Sequence, residues 1–132
     1  MIDLLLGVSL AVATIPPDPI EQCRAVDGDT LRCGAECVRL LGIDAPELPG
    51  HCQGRRVCVA GDPFASRASL ARALAGRLTI VRLGTDRYGR TLGLVSGAMG
   101  DLSCWQLRHG QARYRSDWDT GSALASRCRE AR

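Results

Sequence analysis

Three short stretches place charged side chains where the chain must turn: Asp27-Gly28-Asp29-Thr30, Arg39-Leu40-Leu41-Gly42-Ile43-Asp44-Ala45-Pro46-Glu47 and Asp86-Arg87-Tyr88-Gly89-Arg90. Asp29 follows a tight Asp-Gly turn, so its carboxylate projects where a strand begins. Asp44 ends a strand just before Pro46 forces a bend. If those strand ends are neighbours, two carboxylates and a backbone carbonyl make an oxygen-rich pocket. Such a pocket suits a hard cation, Ca²⁺ before any transition metal.

Glu47 sits three residues past Asp44, beyond the proline bend, where it can accept a proton from a water beside the metal. Arg39 lies in the apolar run Val38-Arg39-Leu40-Leu41 and must be paired or reach solvent. Arg90 closes a hairpin tip with Tyr88 and a glycine. Together these residues supply two acids for a metal, a third acid for proton transfer and two arginines for a phosphate. Singly, each has a plainer explanation: a hairpin turn, a strand terminator, a loop acid or a solvated tip.

The elements that must position them read as follows. Pairing residue 25 with 31 across the Asp-Gly turn puts Arg24 and Arg32 on one face and sets Cys23 opposite Cys33. Cys37 is a rival partner for Cys33. A second turn at Gly34-Ala35-Glu36 leads into a strand from Cys37 to Ile43. Residues 45–61 form a loop that a Cys52–Cys58 bridge would pin. A helix starts at the Asp62 cap with Pro63 in its first position and ends at Gly76; Phe64, Ala68, Ala71 and Leu74 form its apolar stripe. Arg77–Leu83 and Thr91–Val95 read as a hairpin joined through Gly84-Thr85-Asp86. Asp101 caps a short helix ending at Gly110. The tail from Thr120 reads as a last helix with Leu124 and Cys128 inward, and Cys104–Cys128 as the bridge between the two. Early strands, a helix, a hairpin and two more helices fit an α+β domain, mainly β: a five-stranded OB-type barrel with three helices.

The chain has 132 residues, enough for one domain, and aromatics are only 4%, so the core must be built from Leu, Val, Ile and Ala. A net charge of +3 is too small to diagnose a nucleic-acid binder unaided. All seventeen basic residues are arginine, so any phosphate contact must come from a planar fork. Residues 1–19 read as a signal peptide or membrane-anchor remnant with its linker, and 20–132 as the folded domain. The apolar run Ile2–Ile15 is short for a membrane span and Ala11-Val12-Ala13 offers a cleavage site, although Asp3 stands where a positive charge belongs. Seven cysteines support a secreted or periplasmic location, and the absence of Cys-x-x-Cys spacing argues for disulfides over zinc.

In order and spacing the three motifs resemble the thermonuclease family, the staphylococcal-nuclease-like enzymes, over roughly residues 22–115. The resemblance implies a Ca²⁺-dependent endonuclease that hydrolyses DNA and RNA, single strands first, with little sequence preference, leaving 3′-phosphate ends. It implies that Asp29, Asp44 and the backbone carbonyl of Ala45 bind Ca²⁺, with Asp27 behind them. Arg39 and Arg90 would bind the scissile phosphate, and Glu47 would act as general base or order the water. Arg87 and Tyr88 would contact the nucleotide. A base-stacking aromatic belongs near the end of the matching segment; Tyr114 is taken for it, with Trp118 the other candidate. The chain departs from the pattern where Leu83–Asp86 looks short, which trims a substrate-side loop, and in its added cysteines. No stable protein partner is implied, and a monomer is expected. The rival reading is a catalytically inactive OB-type module that binds nucleic acid or protein.

Overall fold

In the computed structural model, which describes residues 16–54 and 56–132, the Asp-Gly turn forms the tip of the first hairpin. The N-terminal apolar run lies outside the described residues. β2 (Cys23–Ala25) pairs antiparallel with β3 (Thr30–Cys33), with Cys23 opposite Cys33, Arg24 opposite Arg32 and Ala25 opposite Leu31, the register the alternation predicts. A sheet begins earlier, at β1 (Asp18–Ile20), which runs antiparallel to β6 (Leu78–Thr85).

The order across this sheet is β1-β6-β7-β4-β3-β2, with β8 (Gly100–Asp101) added to β7 (Thr91–Gly97). β4 (Glu36–Leu40) runs parallel to β7 and antiparallel to β3. The mixed sheet curls into a half-barrel. β6 carries one residue too many between Arg82 and Gly84, and such a bulge bends and twists a strand. The expected strand from Cys37 to Ile43 is interrupted at Leu41-Gly42. Gly42 takes φ 77°, a value costly for residues with a Cβ, and the chain re-aims into β5 (Ile43–Asp44), which pairs with β9 (Arg113–Tyr114). That break is what lifts Asp44 out of the main sheet.

α1 (Pro63–Arg72) begins as its punctuation predicts: Asp62 accepts from the N–H groups of Phe64 at 2.9 Å and Ala65 at 3.2 Å. Its buried face is not the predicted one. Ser66, Ser69, Leu70 and Ala73 face inward, whereas Phe64 is 52% exposed and Ala68 and Ala71 are on the surface. The reason is the neighbour, α2 (Leu102–Arg108). Trp105 Nε1 donates to Ser69 O at 3.0 Å, and Gln106 Nε2 donates to Ser66 O at 2.9 Å. Small serines let the helices approach and satisfy those buried donors.

The third helical element is a pair of 3₁₀ turns, Ser116–Trp118 and Thr120–Ser122, in place of a regular helix from Thr120. Gly121 and Ser122 take φ of 60° and 54°, which stops regular winding. Leu124 is still buried, and Cys128 still reaches Cys104.

The core is aliphatic as expected: Leu31, Val38, Leu40, Ile43, Leu70, Ile80, Val95 and Leu102 have almost no exposure. Disulfides join Cys23–Cys33, Cys52–Cys58 and Cys104–Cys128. Cys37 keeps its thiol. Among the described residues no helix is long and apolar enough to cross a membrane.

Candidate functional site

The turn between β2 and β3 is held from both sides. Asp27 Oδ1 accepts the Asp29 N–H at 3.1 Å, and Gln106 Nε2 donates to Gly28 O at 2.7 Å from α2. A Cβ on Gly28 would collide with Ser66 Oγ, so glycine is required here by close packing. Asp29 emerges at the start of β3 and ties three elements together. Its Oδ1 accepts from Thr30 Oγ1 at 3.0 Å; its Oδ2 accepts from Ala45 N–H at 2.8 Å and meets Arg39 Nη1 at 2.7 Å.

Arg39 stands opposite Thr30 in the β3–β4 ladder, so the strand register itself delivers its guanidinium to Asp29. Asp44, 1% exposed, backs the same place: its Oδ1 lies 3.7 Å from Arg39 Nη2 and 3.1 Å from Arg56 Nη2, and its Oδ2 is 3.6 Å from Arg115 Nη1. Arg56 also reaches Glu47 Oε1 at 3.2 Å. The three guanidinium groups surround the Trp118 ring, with Arg115 nearest at 4.1 Å from its centroid. Arginine over indole keeps its in-plane donors free for carboxylates or phosphates.

The β6–β7 hairpin, beside β4 in the sheet, supplies the remaining charged residues. Asp86 Oδ1 accepts the N–H groups of Tyr88 and Arg90, each at 2.9 Å, and its Oδ2 accepts from Arg90 Nε at 2.7 Å. One carboxylate thus fixes both the turn and the arginine. Tyr88 is 69% exposed, with Arg87 and Arg90 over its ring. Both clusters open on one cleft of about 1330 Å³, lined by Asp27, Asp29, Arg39 and Glu47 and by Arg87, Tyr88 and Arg90.

The electrostatics follow from crowding. Burial, then the Asp29 charge beside it, pushes the Asp27 carboxyl up to about 7. Burial and Asp29 also raise Asp44 and Glu47, with the nearby arginines opposing. Asp86 goes the other way: burial would raise it, but the hydrogen bonds from Arg90 and Tyr88 outweigh that and hold it below the usual carboxylate range. Crowded carboxylates among hard oxygen donors are the condition a divalent cation relieves, and the arginines beside them relieve part of it already. By proximity alone, Asp27, Glu47 and His51 also form a group able to hold a metal ion.

Of the residues singled out in the sequence, Asp27, Asp29, Arg39, Asp44, Ala45 and Glu47 are brought together, and Arg87, Tyr88 and Arg90 line the same cleft as Asp27, Asp29, Arg39 and Glu47. Tyr114 is not: it lies in β9 and its hydroxyl donates to Asp119 at 2.7 Å, while Trp118 lines the cleft. Sequence reasoning missed Arg56 and Arg115. Neither carries a motif; the one signal was that Arg56 lies inside the loop closed by Cys52 and Cys58.

The model of the family described as staphylococcal nuclease homologue matches residues 37–132, which includes Arg39 through Glu47 and the β6–β7 hairpin. The Asp27–Asp29 turn precedes that span and joins it through Arg39 and Ala45. No curated protein matches the chain.

Proposed function

The chain belongs to the staphylococcal nuclease homologue family, and we propose that it is a metal-dependent phosphodiesterase that cuts DNA and RNA with little sequence preference. The observation that carries this reading is the convergence of Asp29, Arg39, Glu47 and Arg90 on one cleft, with β4 and β7 paired side by side so that Arg39 lies opposite Leu92. In the proposed reaction Arg39 and Arg90 grip the scissile phosphate with charge-assisted, bidentate bonds and stabilise the charge gathered at five-coordinate phosphorus. Glu47, whose proton affinity is raised, takes the proton of the attacking water. Attack in line with the 5′ oxygen leaves a 3′-phosphate and a 5′-hydroxyl.

Asp29, Asp44 and the Ala45 carbonyl would hold Ca²⁺, with Asp27 behind them. The ion would supply Lewis-acid neutralisation of a phosphate oxygen. Trp118 and Tyr88 both line the cleft, and a base would stack on either ring by displacing an arginine now over it; such stacking is worth about 1–3 kcal/mol per base and tolerates any sequence. Single strands expose those faces, so they are the proposed preferred substrate. Three disulfides suit an oxidising compartment, and we place the protein outside the cytoplasm, acting as a monomer.

The test incubates the protein with single-stranded DNA in Ca²⁺ or in chelator, beside Glu47→Gln. Cutting that needs Ca²⁺ and falls at least a hundredfold in the variant is expected, in line with the usual contribution of about 10²–10⁴ from a general base. Metal-independent cutting, or a fully active variant, overturns the mechanism. Binding with intact substrate throughout points to the inactive module.

A further inference from the structure

The apolar stripe that the sequence draws along α1 stays at the surface, because the serines of the helix take the inner face: Phe64, Ala68 and Ala71 are exposed. With Ala25 of β2 they line an open groove of about 580 Å³ between the helix and the first hairpin. Among the described residues the two exposed aromatic rings are Tyr88, in the cleft, and Phe64, in this groove. An apolar face that the core leaves uncovered marks a surface for a partner.

The charges around the groove say which partner. Arg24 and Arg67 line it, and Arg32 stands directly across the ladder from Arg24. Among the described residues none of the three pairs with a carboxylate. Asp62, two residues before Phe64, is occupied as the cap of α1. Like charges directly opposite on a ladder destabilise it, and an anion between them removes that cost. Arg32 donates to Ala35 O at 3.3 Å, which leaves most of its donors free. A second copy of the chain would bring the same cations to both sides of a shared face. A polyanion that also carries flat apolar rings answers both the arginines and the phenyl group.

The groove adjoins the cleft, since Ala25 lines the one and the next residue, Val26, lines the other. We propose that the groove is a second binding surface for single-stranded nucleic acid, taking nucleotides that lie beyond the cleft. Phe64 supplies a stacking face, and Arg24, Arg32 and Arg67 contact phosphates. The inference rests on the reading of the cleft as a nucleic-acid site. An aromatic ring beside unpaired cations is what a sequence-tolerant track along a single strand needs. Arg67, whose guanidinium carbon lies 5.5 Å from the Phe64 ring centroid, turns to a phosphate as a base takes its place.

The experiment measures binding of the full chain to a short and a long oligothymidylate, about 4 and about 16 nucleotides, which span the range one such barrel covers. Fluorescence anisotropy is read in chelator, so that nothing is cut, over a range of salt. Arg24→Gln with Arg67→Gln should weaken the long strand about tenfold and flatten its salt slope by about 1.4, the effect of two lost phosphate contacts. Phe64→Ala should weaken it about fivefold or more. The short strand, which the cleft holds alone, should change little. Melting temperatures should hold, because Arg24 and Phe64 are exposed and the loss of Arg24 relieves its opposition to Arg32. A long strand bound equally by parent and variants overturns the groove. So does a concentration-dependent dimer that Phe64→Ala dissolves, which assigns the face to a second copy. Cleavage in Ca²⁺ is scored separately: variant-sensitive binding of the long strand without cleavage supports the groove and sinks only the nuclease reading. Cleavage with unaltered binding does the reverse.

Discussion

Arg56 meets Asp44 Oδ1 at 3.1 Å and Glu47 Oε1 at 3.2 Å, so one guanidinium binds two of the acids proposed for catalysis. Any cation entering the cleft competes with that charge. Arg56 is nearly half exposed, which limits its interaction to about 1 kcal/mol, or roughly a fivefold change in an equilibrium. Arg56→Gln should therefore lower the Ca²⁺ concentration giving half-maximal binding by about that factor, read by calorimetry without substrate. A variant that binds Ca²⁺ no better than the parent would mean the guanidinium does not compete. Asp86 does the opposite job, because it restrains an arginine without opposing its target. Asp86→Asn removes the charge from the bond to Arg90 Nε and weakens the turn bonds to Tyr88 and Arg90. Activity as kcat/KM should fall about tenfold, since a charge-assisted bond contributes about 1.5–3 kcal/mol and part of the positioning survives in the amide. The hairpin tip is exposed, so the melting temperature should move little. A large drop in melting temperature with kcat/KM intact would assign Asp86 to stability alone.

At the scale of elements, the turn that carries Asp27 and Asp29 depends on α2 through Gln106. Gln106→Leu keeps the volume but leaves Gly28 O without its donor, at a cost of about 1–3 kcal/mol. Denaturant unfolding should show that loss, with DNA cleavage reduced further than Asp86→Asn reduces it, because Asp29 rides on the turn. Much of this layout was legible in the sequence, since it is encoded locally. The β2–β3 register followed from an Asp-Gly tip and two cysteines that must share a face, and the start of α1 from Asp62-Pro63. What was not legible depends on contacts between elements far apart in the chain. The inner face of α1 is chosen by Trp105 and Gln106, whose buried N–H groups need Ser69 and Ser66; an apolar stripe cannot reveal that. Arg56 reaches Asp44 across 12 positions of loop, and no local preference dictates it. Trp118 takes the cleft position because Asp119 holds the Tyr114 hydroxyl, accepts from the Leu124 and Ala125 N–H groups, and so fixes the bend between them.

For the whole molecule, two kinds of cross-link hold the small aliphatic core together, one electrostatic and one covalent. Glu36 on β4 accepts from Arg82 on β6 and Thr91 on β7, and Arg82 also reaches Asp18 on β1. The Arg82 hydrogen bonds, opposed in part by burial, lower the Glu36 carboxyl from 4.5 to about 2. A depressed folded-state value stabilises above the unfolded one, so this contribution is complete above pH 4.5 and fades as pH falls toward 2. Glu36→Gln should thus lose about 1 kcal/mol at pH 7 and converge with the parent near pH 2, as read from urea midpoints. The disulfides can be ranked by the loop each closes: 24 residues for Cys104–Cys128 and 6 for Cys52–Cys58. Chain entropy makes the longer closure worth about 3 kcal/mol and the shorter about 2. Their effects on function should run in the reverse order. Cys104–Cys128 ties α2 to the tail, away from the cleft, so Cys104→Ser with Cys128→Ser should lower the melting temperature most and leave kcat intact below it. Cys52–Cys58 closes the loop that carries Arg56 and abuts His51, and that loop has few buried neighbours. Cys52→Ser with Cys58→Ser should therefore cost less stability yet change metal affinity and cleavage. If the 52–58 pair proves silent in both metal binding and cleavage, the bridge is a surface staple and the loop organises nothing in the cleft.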